Sequence, residues 1–152
     1  MCAGIRDFIF ALIFVLLLGM VMSKTSSADS DILSDLVKAD KNDHVAIESL
    51  LEEYNQERYV PFFQQQAKLG SAAAKYWLAQ KYMDGEIINH DIVEAEKLYI
   101  EAANLGNAAS QLRLYFLYSS GAWGQDMRGI YKDEEKAEKN LNKAIKAEYP
   151  PA

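Results

Sequence analysis

Thirty-six residues after Ala67, the chain begins to repeat itself. The pairs Ala67/Ala103, Leu69/Leu105, Gly70/Gly106, Ala72/Ala108, Ala73/Ala109, Leu78/Leu114, Tyr82/Tyr118 and Gly85/Gly121 are identical, eight of the nineteen positions from 67 to 85. Beyond Gly121 the offset becomes 42, aligning Asp91/Asp133, Ala95/Ala137, Glu96/Glu138, Lys97/Lys139 and Ala102/Ala144, so the second copy carries six extra residues before Asp133. A period of this length is the mark of a repeat architecture in which each unit is one supersecondary element.

Each copy reads as two helices around a glycine turn. Ala74, Leu78 and Tyr82 fall every four residues on one face, and Gly85 follows where a left-handed residue closes a helix. Asp91 then caps a second stretch with Ala95, Leu98, Ala102 and Ala103 on one face, ended by Gly106. The alanines let the two helices approach closely, and Leu and Tyr fill the seam. In the second copy, Leu114, Tyr118 and Gly121 take the corresponding places.

The order Ala-x3-Leu-x3-Tyr-x2-Gly, then Asp-x3-Ala-x2-Leu-x3-Ala-Ala-x2-Gly, resembles the Sel-one-like repeat, a relative of the tetratricopeptide repeat. Full copies span 71–106 and 107–148, the second departing at Ser110, Asn140, Ile145 and Glu148, and a preceding second helix is visible in Asn55, Tyr59, Phe62, Ala67 and Gly70. The resemblance covers residues 55–152. It implies an all-α fold, a short tetratricopeptide-like right-handed stack of antiparallel helix pairs (an α-solenoid), and a role in binding other proteins. Small exported proteins resembling this family include adaptors and immunity proteins against secreted toxins such as lipases. Some cysteine-rich relatives suggest an alternative, weak hydrolase or penicillin-binding activity, but they rely on a disulfide in each repeat.

Residues 29–54 form an acidic N-terminal cap in this reading. Two apolar stripes, Ile32, Leu33, Leu36, Val37 and then Val45, Ile47, Leu50, Leu51, Tyr54, are divided by Asp40-Lys41-Asn42-Asp43. Residues 29–57 hold nine acidic and two basic side chains, against twelve of each in 58–152. A segment so charged keeps one end of a stack soluble or steers a basic partner. With a net charge of −6, the whole chain is a poor match for nucleic acid or anionic lipid headgroups.

The N-terminus reads as a targeting segment. Phe8 to Met22 is an uncharged apolar run after Arg6, about 22 Å as a helix against a bilayer core of about 30 Å. Small residues at Ser26 and Ala28 place signal cleavage after Ala28, with Ser23 as the second choice and an uncleaved membrane anchor as the alternative. Removal of 1–28 leaves no stable membrane span and no thiol, because Cys2 is the only cysteine, and places the mature chain in a periplasm or secretory space.

No catalytic constellation emerges. The two histidines, His44 and His90, each sit beside a carboxylate better explained as a helix cap, and phosphate-loop, nucleophile-elbow and His-Glu-x-x-His patterns are absent. No metal or cofactor is expected. The candidate protein-binding residues lie in the second copy. The insertion Ala122–Lys132 carries Trp123 and Tyr131, and the helix Gln111–Tyr118 is apolar nearly all round, with Arg113 its one charge. Leu112, Tyr115 and Phe116 face away from the seam there, as Tyr76 does at the equivalent position of the first copy. An aromatic anchor beside an apolar helix is the usual make-up of a binding hot spot.

Overall fold

The structure is a computed structural model that describes residues 27–123 and 129–148. The apolar run and the second-choice cleavage position after Ser23 therefore lie outside the described residues, while the favoured bond, Ala28–Asp29, falls at the start of the first helix, where only the backbone is described. The chain falls into two compact units, residues 1–33 and 34–152. Of the first, the described part is the opening of helix α1, Ser27–Ala39. The second unit continues that helix and holds the rest of the fold.

The described residues are mostly helical, as the repeat implies. After α1 come α2 (His44–Glu52), a single 3-10 turn (Glu57–Tyr59), α3 (Val60–Lys68), α4 (Ala72–Asp84), α5 (Ile92–Asn104) and α6 (Ala108–Ser120). A two-stranded hairpin of β1 (Ala122–Trp123) and β2 (Gly129–Ile130) precedes the last helix, α7 (Glu134–Glu148). From α3 onward, each helix packs against the one that follows it. Alanines line these seams: Ala74, Ala79, Ala95 and Ala102 are fully buried.

The sequence offsets recur in the backbone, turn for turn. Ser71 caps α4 by accepting from the Ala74 N–H at 3.0 Å, and Asn107 caps α6 by accepting from the Ser110 N–H at 2.8 Å. The Asp91 N–H donates to the Tyr82 carbonyl at 3.1 Å, and the Asp133 N–H donates to the Tyr118 carbonyl at 2.8 Å. The insertion is thus extruded as a hairpin, with Ala122 opposite Ile130 and Trp123 opposite Gly129, while the turn around it closes as in the first copy. Asp43 and Asp91 are the N-caps of α2 and α5, which accounts for the carboxylates beside His44 and His90.

Helix α2 carries the same pattern. Its cap Asp43 is followed by Ala46, Leu50 and Tyr54, all buried, in the spacing of Ser71, Ala74, Leu78, Tyr82 and of Asn107, Ser110, Leu114, Tyr118. Two readings of single residues need correction. In α3 it is Phe63, stacked on Trp77 at 3.9 Å, that is fully buried, whereas Phe62 is half-buried. Gly85 is left-handed with φ 70° and ψ 13°, but Gly121 has φ 72° and ψ 164°. The chain must leave α6 already extended to enter β1, so a helical ψ is unsuitable there.

The loop between α1 and α2 reaches two distant helix starts. Asp40 accepts from the Ala73 N–H at 2.7 Å and from the Ser71 hydroxyl at 3.1 Å, both at the head of α4. Asn42, held at φ 62°, accepts from the Ala108 N–H at 2.9 Å and donates to the Gly106 carbonyl at 3.2 Å, at the head of α6. Removing a helix-capping acceptor costs about 1 kcal/mol. Asp40→Ala and Asn42→Ala should each lower stability by about that much in urea denaturation, although neither residue belongs to the helix it caps.

Lys81 is 4% exposed, with its ammonium 5.5 Å from the centre of the Trp77 ring. Burial lowers its pKa from the ordinary lysine value, against the opposing fields of Asp84 and Glu86. The folded chain therefore sheds this proton at a lower pH than the unfolded chain does, so stability should rise with pH between the two pKa values. The equivalent residue 36 positions on is the buried Leu117. Lys81→Leu should stabilise the fold and abolish that alkaline rise, as measured by thermal melts from pH 7 to 10.

Candidate protein-binding cleft

Trp77 and Phe63 define how one helix seats on the one before it. Phe63 rises from α3, Trp77 stacks on it with planes 10° apart, and the indole N–H donates to the Leu50 carbonyl at 2.9 Å. Moving both residues by 36 positions gives Tyr99 on α5 and Arg113 on α6. Arg113 is exposed where Trp77 is fully buried, so it does not fill the space as the indole does. A cleft of about 300 Å3 lies there, with Gln80, Met83 and Asp84 of α4, Tyr99 of α5, and Arg113, Phe116, Leu117 and Ser120 of α6 among its lining residues.

Its walls differ in character. Tyr99 is buried, with its hydroxyl directed at the Gln80 side-chain oxygen, and burial pushes its pKa far above the usual phenol range, with the Arg113 charge pulling the other way. Partial desolvation opposes the charge on the exposed Arg113, but the Tyr76 hydroxyl and the fields of Tyr99 and Asp84 outweigh it and raise its pKa. Met83, Leu117 and Phe116 supply an apolar shelf, Phe116 being 55% exposed. The cleft therefore offers a guanidinium, a carboxylate and an apolar surface side by side.

The candidate residues separate on this geometry. Phe116 is a rim residue of the cleft. Leu112 is exposed one turn earlier on α6, and Tyr115 is half-buried with its ring 5.0 Å from that of Phe116. Tyr131 is 72% exposed and lies just past β2, among residues lining a different hollow with Glu96 and Tyr118. Trp123 contributes its backbone to β1, and its side chain lies outside the described part. Tyr76 is not a surface residue, being 5% exposed with its ring 5.9 Å from that of Tyr99, because the position 36 residues before an exposed leucine is here covered. Ile130 of the insertion is buried, and β2 lies against α5. The insertion is thus anchored to the core at one strand.

The hydroxyl-bearing side chains among the lining residues are Tyr99 and Ser120. Ser120 donates to the carbonyl of Phe116 in its own helix at 2.8 Å, and neither His44 nor His90 is a lining residue. Among the described residues, no group of three or more His, Cys, Asp or Glu could hold a metal ion, and no helix is long and apolar enough to cross a membrane. No family model, curated protein or solved structure matches the chain.

Proposed function

We propose that this chain is an exported, non-catalytic protein-interaction module that holds a segment of a partner protein in the cleft between α4 and α6. The observation that carries this reading is the replacement of the Phe63–Trp77 stack by Tyr99 and Arg113, which opens a mixed charged and apolar cleft at one seam. The turns that recur at offsets of 36 and 42 support a tetratricopeptide-like right-handed stack and the Sel-one-like resemblance. An inhibitor of the immunity type, acting on a secreted toxin such as a lipase, fits a small module of this kind. An adaptor role uses the same surface.

An exposed aromatic at a binding hot spot is worth about 2 kcal/mol or more on truncation. Phe116→Ala should therefore reduce partner retention from envelope extract at least about tenfold while helix content by circular dichroism is unchanged. Arg113→Ala should weaken the same partner, and added salt should narrow its difference from wild type. Equal retention of one partner by wild type, Phe116→Ala and Arg113→Ala would remove the cleft as the binding site.

A further inference from the structure

Three helices present an equivalent strip to whatever packs next. On α3 it is Val60, Phe63 and Ala67; 36 residues later on α5 it is Glu96, Tyr99 and Ala103; 42 residues after that on α7 it is Glu138, Leu141 and Ile145. The first strip is covered by α4, with Phe63 stacked on Trp77. The second is covered by α6: the Tyr118 hydroxyl donates to the Glu96 carboxylate at 2.7 Å, the Gln111 amide donates to the Ala103 carbonyl at 3.1 Å, and the buried Leu114 shares a hollow with Ala103. Among the described residues, no helix covers the third strip. Ile145 is 51% exposed, Glu138 is exposed, and Leu141 is half-buried, lining with Glu138, Ala137 and Tyr115 a cavity of about 330 Å3.

We propose that this α7 strip is a docking site for an amphipathic α-helix of a partner protein, one that presents a leucine and, four residues on, a tyrosine. The covered strip on α5 supplies the template. There, the leucine shares a hollow with position 103 and the tyrosine hydroxyl donates to the carboxylate at position 96. On α7 those positions are Ile145, an enlarged apolar contact, and Glu138, an acceptor of the same kind. A second copy of this chain is the poorer occupant. Its three Leu-x3-Tyr pairs, Leu50/Tyr54, Leu78/Tyr82 and Leu114/Tyr118, are packed into its own fold, with every leucine buried. This surface is separate from the cleft at Arg113, and the two can be tested apart.

The chain contains its own probe. A fluorescent peptide of residues 107–121, the segment that covers the equivalent strip in cis, is titrated into the full-length chain and followed by anisotropy. Saturable binding is expected, weakened about tenfold or more by Ile145→Asp, which buries a charge against the peptide's leucine. Glu138→Gln should weaken this peptide several-fold but leave a peptide carrying Tyr118→Phe unchanged, since only the hydroxyl reads the carboxylate. Both substitutions are at exposed positions, and circular dichroism verifies folding, with Ile145→Ala as the milder variant. No saturable binding, binding indifferent to Ile145→Asp, or binding lost instead with Phe116→Ala would overturn the proposal. Self-association of the chain that disappears in Ile145→Asp would overturn the choice of a partner helix.

Discussion

Trp77→Ala should cost the fold about 3 to 5 kcal/mol, the range for emptying a buried tryptophan site. The indole is fully buried, stacked on Phe63, and its N–H satisfies the Leu50 carbonyl, so truncation leaves both a cavity and an unpaired acceptor. Helices α2, α3 and α4 meet at this one side chain. Urea denaturation should show the midpoint falling sharply, and domains of this size often have only about 5 to 15 kcal/mol to lose. Trp77→Phe keeps the stack and loses the hydrogen bond, so it should fall between the two. A Trp77→Ala chain that unfolds like the parent would contradict the assignment of this residue as the keystone of the first seam.

Gly121→Val should be the most damaging change at a turn. With φ 72° and ψ 164°, Gly121 occupies a region essentially closed to residues with a β-carbon, at a cost of about 1 to 3 kcal/mol. A β-carbon there would also stand 3.1 Å from the Ile130 carbonyl, an atom held by the β1–β2 pairing and unable to yield easily. Gly85→Val meets the left-handed penalty and a 2.9 Å approach to the His90 β-carbon. Gly121→Val should lower the melting temperature more, because its conflict is with paired backbone. If both variants melted with the parent, the turns would not be set by these glycines.

What was legible in the sequence was what is local. The caps Asp43 and Asp91 and the positive φ of Gly85 and Gly121 each depend on a few neighbouring residues, and helix periodicity marks the seams. The cleft was hidden for a specific reason. Arg113 stood out only as the lone charge of an apolar helix; its meaning depends on Tyr99 of another helix and on what Trp77 does one seam earlier. Tyr76 is buried although its helix position faces away from the seam, because facing away from the seam within one helix pair does not mean facing solvent once α5 and α6 are in place. Ile130 is buried as the last residue of β2 and Tyr131, just past the strand, is exposed; a strand of two residues gives too short a signal to be read in advance.

The tetrapeptide Asp40 to Asp43 has a bearing on the order of events during synthesis. Its acceptors meet donors 33 and 66 residues further along the chain, so it is synthesised before either helix start. The loop is therefore a waiting template. α4 can be capped once its own first turn forms, whereas Asn42 has no Ala108 N–H to accept from until the chain has grown by a further 35 residues. Contacts of such sequence separation slow folding and leave the late partner exposed in the meantime. A free chain ending between Asp84 and Asn107 should thus have one acceptor of this loop engaged and the other idle.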